Sequence, residues 1–119
     1  MKLRLLFLFS VLLSVCISAF AQDDYYRKKA ESYTREAEYY QKKADGYLRE
    51  AEYYLKKAEG YQREAAYCTK KGKIDNARTY TRYADSAMDN YKTQMRYAFQ
   101  ADEKATQYLR WAADALSKH

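Results

Sequence analysis

The chain has no proline, three glycines, two cysteines and one histidine in 119 residues. Proline removes an intrahelical donor and collides with the preceding turn, so its absence leaves no forbidden point for a helix. Glycine supplies the positive φ that tight turns need, and only Gly46, Gly60 and Gly72 are available. The one histidine, His119, is the last residue. A catalytic imidazole must be held in place by its neighbours, and a terminal one is not. Glycine-rich phosphate loops and a Cys-x-x-Cys pair are also missing. The sequence therefore points away from an enzyme, and no cofactor or metal is expected.

The first residues carry Lys2 and Arg4, an apolar run from Leu5 to Ile17, and Ala19-Phe20-Ala21. This is the pattern of a cleavable export signal over residues 1–21, shorter than the span of about 20 apolar residues that crosses a bilayer. Cleavage would leave a chain starting at Gln22. Leu13-Ser14-Val15-Cys16 departs from a lipidation box at Val15, where a small residue is needed. The expected location is outside the cytoplasm: periplasmic, outer-membrane-associated or secreted.

Losing the signal lowers the formal charge of +6 by two cations. Acids and bases alternate finely along the remainder, unlike the clustered Lys and Arg of a nucleic-acid surface. A nucleic-acid partner is not expected. Cys68 would be the only cysteine left. It either packs as a small apolar side chain or bridges two copies through an intermolecular disulfide.

What the sequence does have is a repeat of fourteen residues from Tyr25: YYRKKAESYTREAE, YYQKKADGYLREAE, YYLKKAEGYQREAA, then a decaying YCTKKGK. Fourteen is two heptads. Alanine recurs at 30, 37, 44, 51, 58 and 65, and tyrosine at 33, 40, 47, 54 and 61, which places alanine at a and tyrosine at d of one helical stripe. Five acid-first i,i+4 pairs, Glu31–Arg35, Glu38–Lys42, Asp45–Arg49, Glu52–Lys56 and Glu59–Arg63, would add about 0.2 to 0.5 kcal/mol each. After Gly72, a C-cap candidate, and Asp75, an N-cap candidate, the heptad resumes. Its a positions are Ala77, Ala84, Tyr91, Ala98, Ala105 and Ala112, and its d positions Tyr80, Ala87, Gln94, Ala101, Tyr108 and Ala115.

The expectation is an all-α fold in which residues 22–119 form one long antiparallel two-helix coiled-coil hairpin, an alanine/tyrosine zipper. Its helices should run over about 24–71 and 76–117, with a turn at 72–75. In such a hairpin facing residues have a constant sum, here 145. That sum sets Tyr33, Tyr40, Tyr47 and Tyr61 opposite Ala112, Ala105, Ala98 and Ala84, and Tyr108 and Tyr80 opposite Ala37 and Ala65. In these layers large meets small, as dense packing requires, while Ala44 with Ala101, Ala58 with Ala87 and Ala51 with Gln94 are narrow and Tyr54 with Tyr91 is wide.

Alanine buries little surface, and burial contributes about 25 cal/mol per Å². The hairpin should therefore self-associate into a larger helical bundle. Two flanks are available. The e positions hold Leu48, Leu55, Met88, Met95, Leu109 and Leu116, which either widen the seam or dock a second helix pair. The c column of the first helix reads Ser32, Tyr39, Gly46, Tyr53, Gly60, Tyr67, and the g column of the second adds Tyr83, Tyr97 and Trp111. The pairs 39 with 111, 53 with 97 and 67 with 83 share one sum.

A mid-helix glycine costs about 1 kcal/mol against alanine, so Gly46 and Gly60 are either notches for a neighbour's ring or passive copies of the repeat. The candidate interaction surface is thus Tyr39, Gly46, Tyr53, Gly60, Tyr67, Tyr83, Tyr97 and Trp111. Its expected partners are a second copy or another helical envelope protein. The alternative is a glycan, an anionic envelope component or a membrane surface, on which rings can stack. In packing style the zipper and export signal resemble the small alanine-zippered envelope lipoproteins of Gram-negative bacteria. It departs from them in the lipidation box, the tyrosine column and the central turn, and the resemblance implies no function or site residue.

Overall fold

The computed structural model describes residues 24–118; the stretch expected to be an export signal, Cys16 and His119 lie outside them. The described chain is two helices, α1 over Asp24–Lys70, with 47 residues, and α2 over Ile74–Leu116, with 43. They are joined by a three-residue turn into a helical hairpin. No described helix is long and apolar enough to cross a membrane.

The turn is made by Gly72, whose φ of 77° is the one positive value among the described residues. Its N–H donates to the Thr69 carbonyl at 3.1 Å, and the Lys73 N–H donates to the Cys68 carbonyl at 2.8 Å. These two bonds close a Schellman cap over carbonyls that the end of α1 would otherwise leave bare. Asp75 is not the N-cap that the sequence suggests. The Lys73 carbonyl already accepts the Ala77 N–H at 3.0 Å, so α2 resumes at Ile74 and Asp75 falls in its first turn. There its carboxylate still faces the positive end of the helix dipole.

The structure divides into two compact units, one of residues up to Asp45 with those from Ala98 onward, the other Gly46–Tyr97. In the first, Ala30, Ala37, Ala105, Leu109, Ala112 and Ala115 form the buried core, with Tyr33, Tyr40, Tyr108 and Leu116 packed against it. The Tyr108 ring lies 6.2 Å from Tyr33 and 5.7 Å from Tyr40, the place that a position opposite Ala37 gives it. Leu109, at e, is 2% exposed, and the neighbouring e residues Thr34 and Gln41 are buried too. In this unit the e edge widens the seam.

In the second unit the buried column is Ala51, Ala58, Cys68, Ala77, Ala84 and Ala87. Tyr80 packs on Tyr61, centroids 6.3 Å apart, as its place opposite Ala65 requires. The e residues Leu48, Leu55, Met88 and Met95 stay half-buried.

The charge ladder is mostly open. Of its five rungs, Glu52–Lys56 closes, at 3.3 Å. The other ion pairs among the described residues join Asp24 to Arg27 and, at 3.2 Å, to Lys28. Exposed i,i+4 pairs gain a few tenths of a kcal/mol against the entropy of two long side chains, too little to hold every rung shut. The six threonines, at 34, 69, 79, 81, 93 and 106, each donate to the carbonyl four residues back, sharing an acceptor of the helical ladder and so satisfying a hydroxyl on the helix itself.

Candidate interaction surface

The outward c column of α1 carries Tyr25, Tyr39, Tyr53 and Tyr67, each more than half exposed. Every one has a lysine four residues on, and every lysine sits over its ring: Lys29 at 5.8 Å, Lys43 at 5.4 Å, Lys57 at 5.2 Å and Lys71 at 5.8 Å. A cation within about 6 Å of a ring centroid is attracted by the ring quadrupole. The first three rings also meet the next tyrosine edge-on, Tyr25 with Tyr26 and Tyr39 with Tyr40 at 5.1 Å, Tyr53 with Tyr54 at 5.3 Å. The column is therefore a series of tyrosine–lysine ledges, not bare rings. The lysines went unread in the sequence, although the recurrent Tyr-Tyr-x-x-Lys contains them.

Lys57 shows the electrostatics of a ledge. The hydrogen bond with Tyr53, and then the charges that Tyr53, Tyr61 and Tyr54 acquire when ionised, hold its ammonium above the ordinary lysine value. The same geometry favours the charged form of the base beside the ring.

The α2 rings have other partners. Trp111 lies 5.7 Å from Tyr33, Tyr97 5.4 Å from Tyr47, and Tyr83 5.4 Å from Tyr61. The contact repeats three times at fourteen-residue steps on both helices. These rings lean on the d tyrosines of the seam, while Tyr39 and Tyr53 pair with neighbours on their own helix. The two rows expected to recur together are thus joined to different partners. Trp111, Tyr97 and Tyr83 remain 40%, 39% and 50% exposed.

Gly46 and Gly60 have room around them. A methyl group at Gly46 would meet nothing within 4 Å, and one at Gly60 only the Arg63 Nη2, at 3.9 Å. Neither φ is positive, so no contact among the described residues calls for glycine there.

Beside the α2 rings lie two hollows. One, of about 210 Å³, is lined by Tyr26, Lys29, Tyr33, Trp111, Asp114, Ala115 and Lys118. The other, of about 150 Å³, is lined by Tyr54, Lys57, Tyr61, Tyr83, Ser86, Ala87 and Asn90. Every lining position of the first recurs in the second, shifted by 28 residues forward on α1 and backward on α2. Both hollows have an alanine, three rings and one ledge lysine. Cys68 is 5% exposed, inside the seam, and has no disulfide partner among the described residues. No group of three His, Cys, Asp or Glu able to hold a metal ion occurs among the described residues. Comparison of the chain with protein-family models, curated proteins and solved structures found no match.

Proposed function

We propose that this chain is an exported, non-enzymatic structural or interaction protein of the bacterial cell envelope, acting through helix–helix association on its tyrosine/glycine flank. The hairpin seam is then a heptad zipper within a larger helical bundle. The observation that carries this reading is the alternation of exposed tyrosine ledges with two glycines that the chain's own packing does not require. Alanine at either place would be worth up to about 1 kcal/mol in an isolated helix, and an approaching neighbour is what would make the smaller residue the better one. The test is Tyr53→Ala in the purified chain: light scattering should show weaker association while helicity is nearly unchanged. A protein that is monomeric before and after the substitution removes the proposal.

A second reading rests on the repeated hollows. Rings beside a lysine suit a glycan, an anionic envelope component or a membrane surface. Envelope association that falls steeply with added salt, by a protein that is monomeric when purified, would favour this reading over the first.

A further inference from the structure

We propose that a second copy of this chain docks in parallel on the outer flank of α1, displaced by seven residues, so that the Tyr53–Lys57 ledge of each copy meets a glycine–glutamate notch of the other. This rests on the self-association reading and gives it a register.

Within the Gly46–Tyr97 unit, the c column runs Gly46, Tyr53, Gly60, Tyr67. Four residues beyond each stands a g residue: Glu50, Lys57, Glu64, Lys71. Residues i and i+4 are surface neighbours on a helix. The flank is therefore a row of alternating blocks, a gap with an acid and then a ring with a base. Both block types are visible in the structure. Lys57 and Lys71 lie over Tyr53 and Tyr67, and the space at Gly46 and Gly60 is open. Glu50 and Glu64 are exposed, and neither is in any ion pair among the described residues. In the other unit the two columns continue the alternation as Tyr25 with Lys29, Ser32 with Glu36 and Tyr39 with Lys43.

Shape and charge together select one alignment. A parallel pair in register sets ring on ring, lysine on lysine and glutamate on glutamate. An antiparallel pair can set Tyr53 on Gly60 and Tyr67 on Gly46, but it then brings Glu50 level with Glu64 and Lys57 level with the other copy's Lys57. Like charges placed opposite each other oppose association. A parallel pair displaced by seven residues, about 10.5 Å, meets both demands. Tyr53 faces Gly60 while Lys57 faces Glu64. The same shift sets Tyr53 of the other copy on Gly46 and its Lys57 on Glu50.

The test uses two double variants of the purified chain followed by sedimentation velocity. Lys57→Glu with Lys71→Glu makes this stretch of the g column wholly acidic; Glu50→Lys with Glu64→Lys makes it wholly basic. Each alone should associate at least about tenfold more weakly than the parent, and an equimolar mixture should recover parental association. Circular dichroism checks that both remain helical. A spin label at Thr69, in a Cys68→Ala background, reads the direction. Parallel docking holds two labels within about 25 Å, whereas the antiparallel pair separates them by more than about 35 Å.

Either double variant associating like the parent overturns the proposal, as does a mixture that fails to recover or a long label distance. If that happens while Tyr53→Ala still dissociates the parent, the register falls and self-association stands. A parent that is monomeric at every concentration overturns both. If that monomer pelleted with anionic phospholipid vesicles, the flank would belong to a surface-binding role instead.

Discussion

Tyr40 and Tyr108 stack with their centroids 5.7 Å apart and their planes 11° from parallel, while Tyr33 also meets Tyr108, tilted by 37° with centroids 6.2 Å apart. The Tyr108 ring thus bridges two successive tyrosines of α1. Truncating it removes contacts to both. Tyr108→Ala should destabilise the chain by about 2 to 3 kcal/mol, somewhat below the cost of deleting a fully buried ring, and Tyr108→Phe by much less. Denaturant unfolding followed by circular dichroism measures both, and equal losses would mean that the hydroxyl, not the ring, matters.

Gly46→Ala and Gly60→Ala should each raise the stability of the isolated chain by about 0.5 to 1 kcal/mol, since both sites are helical and have room for a methyl group. Chemical denaturation at low protein concentration reads this directly. A loss of stability would reveal a contact at these glycines within the chain itself.

Gly72 should behave in the opposite way. Its φ of 77° costs an L-residue roughly 1 to 2 kcal/mol, so Gly72→Ala should lower the unfolding midpoint, with Gly72→Asn in between. An unchanged midpoint for the alanine variant would argue that the Schellman turn rearranges freely.

Lys57 should titrate above the ordinary lysine value. Its value is raised in the folded chain by Tyr53 first, and then by Tyr61 and Tyr54. For a raised base, the stabilising contribution is complete below the unfolded-state value and fades as pH climbs through the folded-state one. That window lies above the ordinary 10.5. Side-chain NMR through the alkaline range should show the delay for Lys57, and Tyr53→Phe should abolish most of it.

Cys68 should resist thiol reagents until the chain unfolds, because it is buried in the seam and a thiol must be reached to react. Ellman's reagent with and without denaturant is sufficient. Rapid native labelling, or a crosslinked dimer on a non-reducing gel, would show instead that the tip opens readily.

Much of the hairpin was legible because a seven-residue spacing leaves little choice of face. Ala30, Ala37, Ala44, Ala51 and Ala58 repeat on one line, and all five are buried. The features that escaped depend on a partner's position instead of a spacing. Lys73 rather than Asp75 takes the N-cap position of α2 because the Schellman bonds decide where the chain is free to turn. Leu109 is buried while Leu48 and Leu55 are only half-buried, although all three hold the same heptad letter. The lysine over each outer tyrosine is a side-chain choice among several reachable neighbours. Heptad letters alone do not rank those choices.

The threefold recurrence of the contact between an α2 ring and a d tyrosine has a consequence for how such a chain can change length. Each arm carries its cross-section in steps of fourteen, so a duplicated block in α1 answered by an equal block in α2 would leave every layer facing its old complement. A block of fourteen added to one arm alone would keep the layers matched near the turn but leave the far end of that arm with no helix facing it. Growth in this architecture is quantised and must occur on both strands of the hairpin at once, which makes the turn at Gly72 the fixed origin from which both arms are counted.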